Sequence, residues 1–379
     1  MEATRMIRVG VLTSSRADYG IYLPLLKALR SDEGFDVELI VFGTHLSKFH
    51  GYTVSHIKED GFKIGAEIES FLIGDSPNAI ATSFSLTSQK FSDFWKHHRS
   101  NYEIVFCLGD RFETAAAVLA GLPYGVQFAH VHGGEMTLGA IDNTYRHSIS
   151  LASKYHFVSA QPFADRLKAL LDDNHQHIHC VGSLSLENLE KFELLTLVEF
   201  KNKWNIDLSI DTFLVTVHPE TVAFEKNEFY CREITNSLDV IADKYQVVIT
   251  MPNADASGLI FRNAFNELAN RKAVIKIIEN FGTQSYFTCM KYAKLLIGNT
   301  SSGIVEAASF QKYVLNIGDR QKGRLYSENV IHLPFDSQLI ITSAEMYANK
   351  SYKGINVYYQ KNPSSKIVDV FKQEYASLS

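Results

Sequence analysis

Residues 104–135 read IVFCLGDRFETAAAVLAGLPYGVQFAHVHGGE. The stretch opens on an apolar run at 104–108 and passes an acid–base pair, Asp110 and Arg111. A helical pattern follows at 113–120, then a Gly–Pro–Gly break, then a second apolar run at 126–131. The breaks at Gly121, Pro123 and Gly125 exclude a membrane span and leave strand, helix, turn, strand. Neither strand alternates polar with apolar residues, as expected where helices cover both faces of a parallel sheet.

Outward from this unit the pattern repeats. Strands are expected at 7–12, 36–42 and 156–159, and helices at 21–30, 52–60, 78–99 and 144–153. The pattern weakens at 175–197 and resumes with strands at 213–217, 247–250, 273–277, 295–297 and 314–317. A chain of 379 residues has room for two domains of ordinary size. The expected fold class is α/β, with two Rossmann-like doubly wound domains. The expected boundaries are an N-terminal domain at 1–183, a C-terminal domain at 184–358 and a last segment at 359–379. That segment is an amphipathic helix over 364–378.

Composition narrows the function. Lys and Arg number 37 against 42 Asp and Glu, a net charge of −5, so a dedicated nucleic-acid binder is excluded. Any anionic ligand must be held by a few local cations or by backbone N–H groups. Cys107, Cys180, Cys231 and Cys289 are widely spaced without a CxxC, and are expected to be reduced thiols in a cytoplasmic protein. The N-terminus has no signal-peptide h-region, and no membrane partner is expected.

Chemistry-bearing residues gather just past strands, where α/β proteins bind ligands. After the first strand come Ser14, Ser15, Arg16 and Asp18, a helix start able to take an anion or to cap itself. After 104–108 come Asp110 and Arg111, readable as an ion-paired helix cap or as cleft residues. His130 and His132 alternate on a strand and are expected on one face, with Gly133 and Gly134 free to approach a ligand. Glu135 and Asp142 are a candidate acid–base pair, followed by Arg146 and His147. A metal site there lacks a clear third ligand and none is expected. The tract His175–Gln176–His177–Ile178–His179 is expected to be solvated. In the second half, His218 and Glu220 follow one strand. After the next lies GNTSSGIVE, a small polar loop without the lysine of a Walker loop, in which Ser301 or Ser302 would cap the helix. Glu306 lies within reach of a ribose diol. Arg320, Lys322 and Arg324 then offer charge for a diphosphate.

Taken in order, SSRADYG, GDRFE, HVHGGEMTLGAID with RHSIS, HPET, GNTSSGIVEA and NIGDRQKGR resemble the hydrolysing UDP-N-acetylglucosamine 2-epimerases, the bacterial enzymes that open sialic-acid synthesis. The motifs span residues 13–324. The resemblance implies the GT-B arrangement, two domains facing across a cleft with the C-terminal helix returning to the first. It implies a cytoplasmic homodimer or homotetramer with a UDP-sugar substrate and no metal or other cofactor. It also implies that Asp110, Glu135, Asp142 and His218 are catalytic. Arg16, Arg111, His132, Ser301, Ser302, Gly303, Glu306, Arg320 and Arg324 would bind substrate. The implied reaction converts UDP-N-acetylglucosamine to N-acetylmannosamine and UDP, by elimination to a glycal and then hydration. Which carboxylate takes the C2 proton stays open. So do the same chemistry on UDP-2,4-diacetamido-2,4,6-trideoxyglucose for legionaminic acid, a non-hydrolysing epimerase, a GT-B glycosyltransferase and a nucleotide-sugar sensor.

Overall fold

The computed structural model describes residues 6–74, 76–138, 141–172, 177–191, 193–220, 224–252 and 256–376. His175, Gln176, Thr221, Gly139, Ala140, Ser377 and Leu378, which fall in segments read above, lie outside the described residues. Backbone contacts divide the chain into two units. The first is Met1–Glu135, Ile141–Asn188 and Tyr358–Ser379; the second is Met136–Ala140 and Leu189–Val357.

The first unit is built on a seven-stranded sheet. Its strands are β1 (Ile7–Thr13), β2 (Phe35–Phe42), β3 (Ile64–Ile68), β4 (Ile104–Leu108), β5 (Phe128–Val131), β6 (Tyr155–Val158) and β7 (Ile178–Cys180). Their order is β3-β2-β1-β4-β5-β6-β7, and every pairing is parallel. The absence of polar alternation has its reason in two separate cores. Val9, Val11, Phe106 and Phe157 lie on one face with Tyr22, Leu25 and Leu29. Leu12, Ile40, Val105 and Cys107 lie on the other with Phe91, Trp95 and Ala117. The C-terminal helix Pro363–Ala376 belongs to the first face through Ile367 and Phe371. The Phe371 ring sits 5.4 Å from Phe106 and 5.0 Å from Tyr155, centroid to centroid.

The second unit has six strands: β8 (Thr212–Thr216), β9 (Gln246–Thr250), β10 (Ile275–Ile278), β11 (Leu295–Gly298), β12 (Val314–Ile317) and β13 (Val330–Leu333). Their order is β10-β9-β8-β11-β12-β13, again parallel throughout.

Both sheets reverse direction once. In the first, helix Arg16–Ser31 after β1 packs on one face, and helix Phe112–Gly121 after β4 packs on the other. The carboxyl ends of neighbouring β1 and β4 are therefore a topological switch point, the place where doubly wound sheets take ligands. In the second, β8 and β11 play the same part: helix Asn227–Ile241 packs on one face and the segment after β11 on the other.

Several expectations are corrected. The edge strands β3 and β13 carry no strong apolar run (IGAEI and VIHL) and were not read from the sequence. The first helix begins at Arg16 rather than near residue 21, because Ser15 and Asp18 form a capping box at its start. The histidine tract is half-buried, rather than fully solvated, where it is described. His177 Nδ1 lies 3.2 Å from Glu374 Oε1, and His179 stacks on Phe157 at 5.5 Å. None of the four cysteines is in a disulfide. Among the described residues no helix is long and apolar enough to cross a membrane.

Among the described residues of the first unit three histidines are buried: His45, His130 and His156. Burial, the largest cause for each, pushes the pKa down to about 4, 3 and 4 respectively. Each is neutral in the folded state and takes a proton near 6.5 when unfolded. The unfolded chain thus binds more protons below that value. Stability is full above about pH 6.5 and falls as pH drops toward the folded values. At pH 5 each histidine should cost roughly 1–2 kcal/mol. The urea midpoint is expected to fall clearly between pH 7 and pH 5, and an unchanged midpoint would refute the account.

Candidate active site

At the end of β1 the polar residues satisfy one another. The Asp18 carboxylate accepts from Ser14 N–H at 2.7 Å, Ser14 O–H at 2.8 Å and Ser15 N–H at 3.0 Å, and also from the Ser15 hydroxyl. His45 links Thr13 and Thr53 through its two ring nitrogens, at 2.9 and 2.7 Å. The capping reading of this cluster therefore holds, and it leaves Arg16 exposed on the first turn.

At the end of β4 the neighbouring acid and base do not pair with each other. Asp110 is ion-paired with Arg146, one turn after Asp142 on helix Asp142–Leu151. The Arg146 side chain is 3% exposed and that of Asp110 is 26% exposed, so the guanidinium is the buried member of the pair. Arg111 turns to Glu113, with Nη2 donating to Oε1 at 2.5 Å. Burial alone would lower the Arg111 pKa, but Glu113, Asp18 and Asp110 raise it above the usual value and secure its charge.

His130 and His132 do not share a face. β5 ends at Val131, and His132 has left-handed backbone (φ 63°), which breaks the alternation. His130 is fully buried: Nε2–H donates to Gly109 O at 2.8 Å, and Nδ1 accepts from Ser150 O–H at 2.9 Å. A neutral ring so placed ties the end of β4 to β5 and to the helix bearing Asp142 and Arg146. The two glycines serve packing rather than an open approach. A Cβ at Gly134 would stand 2.5 Å from Phe163 O, and one at Gly133 would stand 2.9 Å from His130 Nδ1. The turn they permit delivers Glu135, which is buried; its Oε1 accepts from Ser159 O–H at 2.8 Å. His132 Nδ1 is 3.6 Å from the same oxygen. Asp142 is half-buried at the first position of its helix. Among the described residues no three His, Cys, Asp or Glu side chains gather as a metal-holding group.

In the second unit the switch point lies between β8 and β11. Gly298 has φ 152°, and a Cβ there would lie 1.8 Å from Thr216 O, so only glycine lets the two strand ends close up. Thr300 caps the short helix Ser301–Val305, accepting from Gly303 N–H at 3.2 Å; neither Ser301 nor Ser302 does so. Ser301 is exposed, Ser302 half-buried and Glu306 buried at the helix end. Tyr286 lies beside Thr216, Ser302 and Thr300, and burial raises its pKa above the usual value. Gly303 packs on β12, where a Cβ would meet Val314 at 3.0 Å. His218 is half-buried; burial, and then the Arg320 charge, push its pKa down to about 4, so it is neutral near pH 7. Arg320 Nη1 donates to Asn299 O at 3.0 Å. Arg324 is half-buried, while Lys322 pairs with Asp319 on the surface at 3.6 Å.

The structure thus groups Asp110, Arg111, Glu135, His132 and Asp142 after the strands of the first unit. It groups His218, Ser301, Ser302, Gly303, Glu306, Arg320 and Arg324 in the second. It gives partners to Arg146 and Asn299, which lie in the clusters read above without an assigned role, and it adds Ser159 and Tyr286, which those clusters did not include. Arg146 had a local signal, its spacing of one helical turn from Asp142.

A family model described as UDP-N-acetylglucosamine 2-epimerase matches residues 27–372. The chain is 31% identical over 325 residues to the GDP/UDP-N,N'-diacetylbacillosamine 2-epimerase (hydrolyzing) of Campylobacter jejuni, covering 86% of this chain and 83% of that one. It is 28% identical to polysialic acid biosynthesis protein P7 of Escherichia coli, covering 97% and 94%. Among solved structures, the UDP-GlcNAc 2-epimerase of Neisseria meningitidis bound to UDP-GlcNAc superposes with a TM-score of 0.79 at 17% identity, covering 97% and 100%. At that identity the likeness speaks for the fold.

Proposed function

Since the chain belongs to the UDP-N-acetylglucosamine 2-epimerase family, we propose that it is a hydrolysing 2-epimerase. In this reading it converts UDP-N-acetylglucosamine to free N-acetylmannosamine and UDP. The observation that carries the proposal is the set of carboxylates past β4 and β5: Asp110 held by Arg146, Glu135 held by Ser159, and Asp142 at a helix start.

The C2 proton of such a sugar is not acidic, because it flanks an anomeric carbon rather than a carbonyl. Departure of UDP from C1 builds oxocarbenium character and makes that proton removable. Loss of both gives a glycal; water then adds at C1 while a proton returns to C2 on the opposite face. Two faces require two acid–base groups, and Glu135 and Asp142 are assigned to them. Asp110 assists. His218, neutral at working pH, is assigned to the leaving oxygen or the diphosphate. In the second unit Ser301, Ser302 and Gly303 would receive phosphate at a helix start, Glu306 would take the ribose diol, and Arg320 and Arg324 would offset the charge on departing UDP. Arg16, Arg111 and His132 are assigned to substrate from the first unit.

The name of the Campylobacter jejuni relative favours a second reading, the same chemistry on a UDP-2,4-diacetamido-2,4,6-trideoxy sugar. Incubation with each nucleotide sugar, followed by NMR, separates the two. Free 2-epimer plus UDP from one substrate supports the hydrolysing reading. An intact UDP-linked epimer would refute it, and so would no product from either. Arg320→Ala is expected to raise KM for the nucleotide sugar about tenfold or more, as loss of a charged hydrogen bond predicts. An unchanged KM removes Arg320 from the site.

A further inference from the structure

Two buried asparagines grip the segment after β8. Asn299 Oδ1 accepts from His218 N–H at 2.8 Å, and its Nδ2 donates to His218 O at 2.9 Å. Asn227 does the same to Glu220, with Oδ1 accepting from Glu220 N–H and Nδ2 donating to Glu220 O, both at 3.0 Å. Each amide thus acts as a stand-in strand, satisfying both backbone groups of one residue where the sheet has ended.

Asn299 does more than its counterpart. Its own N–H donates to Thr216 O at 3.1 Å. Its carbonyl accepts from Arg320 Nη1 at 3.0 Å and from Gln321 Nε2 at 2.8 Å. The residue is fully buried and stands immediately before Thr300, the cap of helix Ser301–Val305. One buried residue therefore joins the loops after β8, β11 and β12. It holds the backbone of His218 with its side chain and the guanidinium of Arg320 with its main chain.

We propose that Asn299 is a positioning residue that fixes His218 and Arg320 relative to each other and to the helix start at Ser301. Asn299 has no exposed atom with which to meet a ligand, so it acts through these neighbours. Its catalytic consequence rests on the reading of His218 and Arg320 given above; its structural content does not.

The test compares Asn299→Ala with Asn227→Ala in the full-length protein. Both remove a buried amide that satisfies one residue's backbone, so both should lower the melting temperature. Only the first breaks the hold on His218. In protein labelled at histidine, with the His218 resonance identified by its loss in His218→Asn, the His218 titration midpoint should rise by at least one pH unit in Asn299→Ala. It should stay within a few tenths of a unit in Asn227→Ala. The cause is that a loosened ring gains solvent and leaves the Arg320 charge. With the UDP-sugar turned over by the wild type, Asn299→Ala should lower kcat at least tenfold and Asn227→Ala less than threefold. An unmoved His218 midpoint in Asn299→Ala, or equal shifts in the two variants, overturns the positioning role. A wild type that turns over no UDP-sugar overturns the functional reading, while the titration still decides the positioning role.

Discussion

Glu135→Gln is expected to lower kcat for release of free sugar by about 10²- to 10⁴-fold, the contribution of a general acid–base group. KM for the nucleotide sugar should change little. The side chain is 8% exposed and its oxygen accepts a hydrogen bond from Ser159. Glutamine has the same shape and offers the same acceptor, so the Ser159 bond survives and the fold loses little. What disappears is the capacity to take and give a proton. Ser159→Ala should have a smaller effect, because it alters how the carboxylate is held without removing it. Running the wild type in heavy water adds a second readout. Deuterium should enter at C2 of the product, since the returning proton comes from an enzyme group in exchange with solvent. Turnover of Glu135→Gln within a few-fold of wild type would sink the assignment.

The sequence made the sheets legible for a physical reason. Buried parallel strands must be apolar on both faces, and runs such as 104–108 are. The ends of β1, β4, β8 and β11 were legible too, because each is followed by small and polar residues that cannot continue a buried strand. Side-chain pairings were not. Asp110 and Arg111 are adjacent in the chain, yet each is paired elsewhere, with Arg146 and Glu113. The His130/His132 alternation ended one residue early because the strand stops at Val131, and a left-handed residue has no period-two meaning. Within the polar loop GNTSSGIVE nothing local records that the Asn299 amide meets His218, 81 positions away. The edge strands β3 and β13 were missed because an edge strand pairs on one side only and needs less apolar sequence.

Gly298→Ala is expected to be among the most damaging single substitutions in the second unit. A Cβ there would stand 1.8 Å from Thr216 O and 2.6 Å from its carbon, and both are backbone atoms that no rotamer change can clear. The φ of 152° adds strain of its own, since L residues rarely adopt it. Backbone strain of about 1–3 kcal/mol and overpacking of about 1–3 kcal/mol together approach the stability of an ordinary domain. Relief would have to come from separating β8 and β11, whose register pairs Gly298 with Thr216. That separation would move the segment bearing Asn299 and Thr300 away from His218. Gly20→Ala is the control. Gly20 lies inside helix Arg16–Ser31, and its added Cβ would meet nothing within 4 Å. The gain in helix propensity, about 0.5–1 kcal/mol, should leave that variant equal to or more stable than wild type. Thermal melts of the two variants should therefore diverge in sign. For a unit of this size a loss of several kcal/mol corresponds to a fall of about 10 °C or more. A Gly298→Ala protein melting within about 2 °C of wild type would mean that β8 and β11 do not meet as closely as the switch-point geometry requires.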